Sequence, residues 1–71
     1  MILKIVSENY EKAAEFYNLC CSKGVQGSGT DFLICAIAQH YNISIFTYDK
    51  DFQLFSQYIN IKLYIPANLN H

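Results

Sequence analysis

Asp31, Asp49 and Asp51 are the side chains of this sequence best placed to do chemistry. The chain holds six acidic residues, and they fall into two sets. Glu8, Glu11 and Glu15 follow one another at helical spacing and share a face, which reads as a solvated surface. The three aspartates differ. Asp31 opens the most apolar stretch of the chain, and Asp49 and Asp51 follow directly on a run of β-formers. In parallel α/β sheets, ligands gather outside the carboxyl ends of the strands. A carboxylate at a strand end and another at a neighbouring helix start can converge there. Hard divalent cations such as Mg²⁺ take oxygen ligands, one or two carboxylates among them. A cation so held lowers the pKa of a bound water and neutralises charge building on a phosphate. Each aspartate also has a plainer reading, Asp31 as a first-turn carboxylate facing the helix dipole and Asp49 as a turn former.

Other reactive side chains point to simpler roles. Cys20, Cys21 and Cys35 are an odd number with neither disulfide nor zinc spacing, and read as small apolar residues of a reducing compartment. His40 falls at the end of the apolar stretch, where a cation complements the helix dipole. The six tyrosines have faces that could stack bases, but packing is the commoner use of such rings.

The elements that must position these groups can be read from periodicity. Residues 2–6 form a short apolar run suited to a strand. Ser7 can cap a helix, with Glu8 and Glu11 in its first turn. Tyr10, Ala13, Ala14, Tyr17, Cys20 and Cys21 then recur as a helical stripe. Lys23 and Gly24 are a stop signal. After a loop over 25–29, Ser28 and Asp31 have capping-box spacing, with Thr30 as the other possible cap. Residues 32–38 are apolar all round, which predicts a buried helix ending near Tyr41 and Asn42. Residues 43–46 predict a strand. Residues 50–58 predict a helix, with Phe52, Phe55, Tyr58 and Ile59 at helical spacing. Ile61, Leu63 and Ile65 alternate with Lys62 and Tyr64 as a half-buried strand. Pro66 ends it, and residues 66–71 read as a frayed tail. The order β-α-α-β-α-β predicts one α/β domain over residues 1–71 with a short parallel sheet.

Composition narrows the function classes. A chain of 71 residues buries only about 60% of its unfolded surface. Yet 52% of its residues are hydrophobic and 15% aromatic, more apolar surface than so small a globule hides alone. Self-association or a companion chain is therefore expected. The net charge is −1, and all five basic residues are lysines, so no basic block is available to clamp a phosphate backbone. The longest apolar run is too short to span a bilayer, and no secretory signal is evident. A cytoplasmic protein without a membrane anchor is the expectation.

Two stretches carry a family resemblance. Lys23-Gly24-Val25 leads through Gly27-Ser28-Gly29-Thr30 into D-F-L-I-C-A-I-A at 31–38. Ile45-Phe46 then leads into T-Y-D-K-D-F at 47–52. In order and spacing they resemble the C-terminal half of PIN domains of the VapC toxin type. There a basic residue and a glycine close a helix, an aspartate heads a D-x-x-I-A-x-x-A helix, and a strand ends in T-x-D-x-D-F. The run from Tyr10 to Cys21 is similar to the preceding helix of that family.

The resemblance implies a three-layer PIN-like fold and phosphodiester hydrolysis of RNA at a Mg²⁺ or Mn²⁺ site. It implies that Asp31, Asp49 and Asp51 are catalytic and metal-ligating, with Thr47 orienting them. Ser28, Thr30 and Lys50 lie within the same motifs as candidate substrate-binding or orienting groups. An antitoxin protein is the partner expected of such a toxin. The chain also departs from the pattern. PIN domains open on a strand bearing a first aspartate, followed by helices bearing a glutamate, and neither is matched; Glu8, Glu11 and Glu15 do not correspond. A partial acidic site follows, completed by a missing N-terminal half or by nothing. The second expectation is a catalytically inactive remnant that pairs with itself or with an antitoxin-like protein, since a removed central strand leaves open edges. A nucleic-acid binder without catalysis is the third.

Overall fold

The computed structural model describes residues 4–64. Its elements run α1 (Ser7–Ser22), α2 (Gly29–Tyr41), β1 (Ser44–Phe46), α3 (Lys50–Phe55) and β2 (Lys62–Tyr64). β1 and β2 pair in parallel, with Ser44 opposite Lys62, Ile45 opposite Leu63 and Phe46 opposite Tyr64. Among the described residues this is the expected α/β order from its first helix on. Residues 4–6, the described part of the run expected to form a first strand, pair with no other strand. They are held at one end instead: the Lys4 N–H donates to the Tyr41 hydroxyl at 3.1 Å, and that hydroxyl donates to the Lys4 carbonyl. The expected tail over 66–71 lies outside the described residues.

α1 buries a different face from the one its tyrosines suggest. Asn9, Ala13, Phe16 and Cys20 face inward, while Tyr10, Ala14, Tyr17 and Cys21 are exposed. The two stripes share Ala13 and Cys20 and differ by one residue elsewhere. Phenyl fills the core better than phenol, whose hydroxyl wants water or a partner. Tyr17 still sets its edge against Phe32, ring centroids 5.7 Å apart. The cap is also displaced by one. Val6 is the N-cap and Ser7 the first helical residue. The Val6 N–H donates to Asn9 Oδ1 at 2.9 Å, so Asn9 supplies the side-chain end of a capping contact from N3.

Both long helices stop by the same device. Gly24 has φ 76°, and the Val25 and Gly24 N–H groups donate back to the Cys20 and Cys21 carbonyls at 2.8 and 3.0 Å. After α2, Asn42 takes the left-handed conformation at φ 55°, with Ile43 bonded to the Ala38 carbonyl and Asn42 to that of Gln39. Each is a Schellman close. α3 is shorter than expected. Beyond Phe55 three-residue spans, Gln57 to Leu54 and Tyr58 to Phe55, mix with four-residue ones, Ser56 to Phe52 and Ile59 to Phe55, so the helical spacing of the apolar residues outlasts the regular helix.

One core joins the three helices. Ala13, Phe16, Cys20, Phe32, Cys35, Ala36, Phe52, Phe55 and Ile59 are buried together, with Ile45 and Leu63 packed against them from the sheet. The Phe32 and Phe55 rings stand 4.7 Å apart at its centre. α2 is not buried all round as its composition predicts, since Ile34 is 41% exposed. The described residues thus supply the sheet and a helical covering for one of its faces.

Candidate functional site

Asp49 is fixed by short-range bonding. The Asp49 N–H donates to Thr47 Oγ1 at 2.9 Å. Its own Oδ1 accepts from the Asp51 N–H at 2.9 Å, which makes Asp49 the N-cap of α3. Thr47 is tied to the sheet in turn, its N–H reaching the Tyr64 carbonyl at 3.4 Å. The T-x-D-x-D spacing therefore has a mechanical meaning. A hydroxyl and then a carboxylate each satisfy a backbone N–H two residues on, turning the chain from strand into helix while Asp49 stays anchored. Asp51 lies in the first turn of α3 and, like Asp49, is exposed.

Asp31 is held by a reciprocal pair. Ser28 is the N-cap of α2, and its Oγ accepts from the Asp31 N–H at 3.1 Å. Asp31 Oδ2 accepts from the Ser28 N–H at 3.2 Å. The capping box is thus formed with Ser28, and Thr30 sits exposed within the first turn. A left-handed turn at Asn42 sends the chain back along α2 into β1. Thirteen helical residues rise about 20 Å. An extended chain from Ser44 to Asp49 covers about the same distance. β1 runs beside α2, with Ile43 and Ile45 lining one hollow with Ile34, Ile37 and Ala38. Lys50 opens α3 and is exposed.

The donor set stops short of a cation cage. Asp31 and Asp49 each spend one carboxylate oxygen on a helix start. Among the described residues no three His, Cys, Asp or Glu side chains come together to hold a metal ion. Mg²⁺ and Mn²⁺ require several oxygen donors at close to octahedral geometry. The residues present do not by themselves fit such an ion.

Other ionisable groups are structural. Burial pushes the Cys35 thiol up from 9.0 to about 12, reinforced by Cys20 and then Asp31. Burial and then Cys21 raise Cys20 as well. Both are buried free thiols, protonated at neutral pH and unsuited to nucleophilic work. His40 does more than sit in the last turn of α2. Its Nδ1 lies 2.9 Å from Asn9 Nδ2, and because Asn9 Oδ1 already accepts from Val6, the amide donates and the ring accepts. Asn9 is 2% exposed, the one buried polar residue among those described. Its polar and charged neighbours Ser7, Glu8, Glu11 and Lys12 gave no sign of this role in the sequence. Glu8, Glu11 and Glu15 are exposed, and Glu15 pairs with Lys12 at 3.4 Å.

No helix among the described residues is long and apolar enough to cross a membrane. Compared with known proteins, the chain matches the family model for the PIN domain over residues 1–57. No curated protein and no solved structure matches it significantly. That match takes in α1, α2, β1, α3 and all of the acidic residues discussed above. The chain therefore belongs to the PIN domain family, a nuclease superfamily.

Proposed function

We propose that this chain is part of a PIN ribonuclease of the VapC toxin type, corresponding to the C-terminal half of that domain. In this reading Asp31 and Asp49 are the carboxylates at the reacting phosphate, Asp51 supports them, and Thr47 is a positioning residue. Mg²⁺ or Mn²⁺ is the cofactor, RNA the substrate, and an antitoxin protein the natural inhibitor. The observation that carries the reading is the Thr47–Asp49–Asp51 relay, which anchors a carboxylate at the carboxyl end of a parallel strand. Because the described residues hold too few donors for a cation, the remaining acids come from a part of the domain outside these residues. Ser28, Thr30 and Lys50 line the approach as orienting groups. Cleavage of a single-stranded RNA with Mn²⁺ should fall about a hundredfold or more in Asp49→Asn, the scale on which loss of one charge-stabilising group acts. The assay needs the chain joined by the rest of its acidic site; there, equal cleavage by the two proteins, or none by the wild type, sinks the enzymatic reading.

A second reading has its own support. Ile34, Ile37, Ala38, Ile43 and Ile45 line an apolar hollow beside β1. That surface suits a chain that pairs with itself or with an antitoxin-like protein without cleaving anything. Light scattering distinguishes it, since a monomer at high concentration would leave the hollow without an occupant.

A further inference from the structure

We infer that Phe55, seated on Gly27, is a positioning residue that sets the separation between the two aspartate-bearing helix starts. Those starts are built alike. Asp31 lies in the first turn of α2 and is followed by Phe32. Asp51 lies in the first turn of α3, which Asp49 caps, and is followed by Phe52. Phe32 and Phe52 are both buried, and both meet the same ring. The Phe32 centroid stands 4.7 Å from that of Phe55, and the Phe52 ring meets Phe55 at 5.3 Å and 70°. Helical side chains lean toward the N-terminus of their helix. α3 has six residues, a length of about 9 Å, so the Phe55 side chain leans back toward the end that Asp49 caps.

Gly27 closes the connection. The residue after it, Ser28, donates its N–H to Asp31 Oδ2 at 3.2 Å. A Cβ on Gly27 would lie 2.6 Å from Phe55 Cζ and 3.0 Å from two atoms of the Phe32 ring. Carbon atoms in contact settle at about 3.5–4 Å, so the Phe55 ring takes the place of a side chain. Gly27 is not among the residues of positive φ, so close approach rather than conformation calls for a glycine. The backbone that holds the Asp31 carboxylate therefore lies directly against a ring carried by the helix that Asp49 caps. Rings in a close-packed interior transmit displacement instead of absorbing it, which makes this contact a spacer. At a catalytic site a misplacement of about 1 Å can lower the rate about a hundredfold. That use of the spacing rests on the nuclease reading; the spacing itself does not.

The test is paramagnetic relaxation enhancement on the full chain. A nitroxide is attached to Lys50→Cys, at the exposed start of α3, with the exposed Cys21 changed to serine. Cys20 and Cys35 are buried and escape the label. The amides of Gly29, Thr30 and Asp31 report the separation, because their broadening falls steeply with distance. Gly27→Ala should shift it by about 1 Å, the step from 2.6 Å to an ordinary contact. Phe55→Leu, which empties the seat, should also change the broadening at these amides. Gly27→Ala combined with Phe55→Leu, in which the new methyl fills the space left by Cζ, should return it toward wild type. Phe16→Leu, a core change on α1, should leave it as it is. Circular dichroism checks folding throughout, and should Gly27→Ala not fold, Phe55→Leu and the double variant decide by the same amides. The spacer is overturned by wild-type broadening in a folded Gly27→Ala or in Phe55→Leu. It is equally overturned by a double variant displaced as far as the single ones, or by Phe16→Leu with as large a shift. All of this is read without cleavage. Were these shifts found while Asp49→Asn cleaved as wild type does in the completed domain, the nuclease reading would fall and the spacer would stand.

Discussion

Thr47 acts on Asp49 through the backbone, and this makes its role separable from the chemistry of the carboxylate. In Thr47→Val the shape is kept but the acceptor for the Asp49 N–H is lost. The turn into α3 should loosen, by about 1 kcal/mol locally. Amide hydrogen exchange at Asp49 and Asp51 should quicken in Thr47→Val and return to normal in Thr47→Ser. Unchanged exchange in the valine variant would remove Thr47 from the site. The cysteines give a second residue-scale expectation. Cys35 has its pKa raised from 9.0 to about 12 in the folded chain. Below pH 9 the thiol is protonated whether folded or not, so it adds no pH dependence. Above that the unfolded chain releases its proton first, so stability falls as pH rises from 9 toward 12. Cys35→Ala should flatten that fall in urea titrations, while alkylation of the native protein at pH 8 should reach exposed Cys21 first.

At the scale of elements, three glycines near the same turn should respond differently to alanine. Gly24 sits at φ 76° with nothing within 4 Å of an added Cβ. Gly24→Ala should therefore cost only the conformational penalty, about 1 kcal/mol. At Gly27 an added Cβ would lie 2.6 Å from Phe55 Cζ and 3.0 Å from the Phe32 ring. Both rings are fully buried and cannot swing aside, so Gly27→Ala should cost about 1–3 kcal/mol through overpacking. Gly29, at the start of α2 with open space around it, should tolerate alanine. Thermal unfolding of the three variants checks this order, and a Gly27→Ala protein as stable as Gly29→Ala would contradict the packing. The same elements mark what the sequence discloses. Stops and caps at Lys23-Gly24, Ser28/Asp31 and Asn42 were legible because they depend on one or two residues with special backbone preferences. The inward face of α1 was not, because Ala13 and Cys20 fit two stripes and only tertiary packing chooses between Phe16 and Tyr17. Nor was the end of α3, where apolar spacing continues after the hydrogen bonds become mixed in span. Of the site, the local anchoring of Asp49 could be read from T-x-D-x-D. Whether three acids meet depends on the folded arrangement, and among the described residues they do not.

The whole molecule is a slab 17 Å across its shortest dimension, room for about one layer of helix on one sheet. A sheet of two strands is marginal by itself, and a parallel pair is ordinarily covered on both faces. Among the described residues β1 and β2 each pair on one side only. The apolar hollow of Ile34, Ile37, Ala38, Ile43 and Ile45 adjoins β1. An unpaired strand edge next to such a hollow is a template for another chain. Light scattering of the wild type should therefore give a mass above that of one chain, rising with concentration. Ile34 is the position to change, because it is partly exposed and its loss opens no hole in the core. Ile34→Lys should shift the equilibrium toward monomer by about tenfold or more, since burying an unpaired ammonium costs far more than the aliphatic contact it replaces. The far-ultraviolet dichroism should be unchanged. A lysine variant that associates as strongly as the wild type would exclude this hollow as the contact, and the incomplete covering of the sheet would then need another explanation.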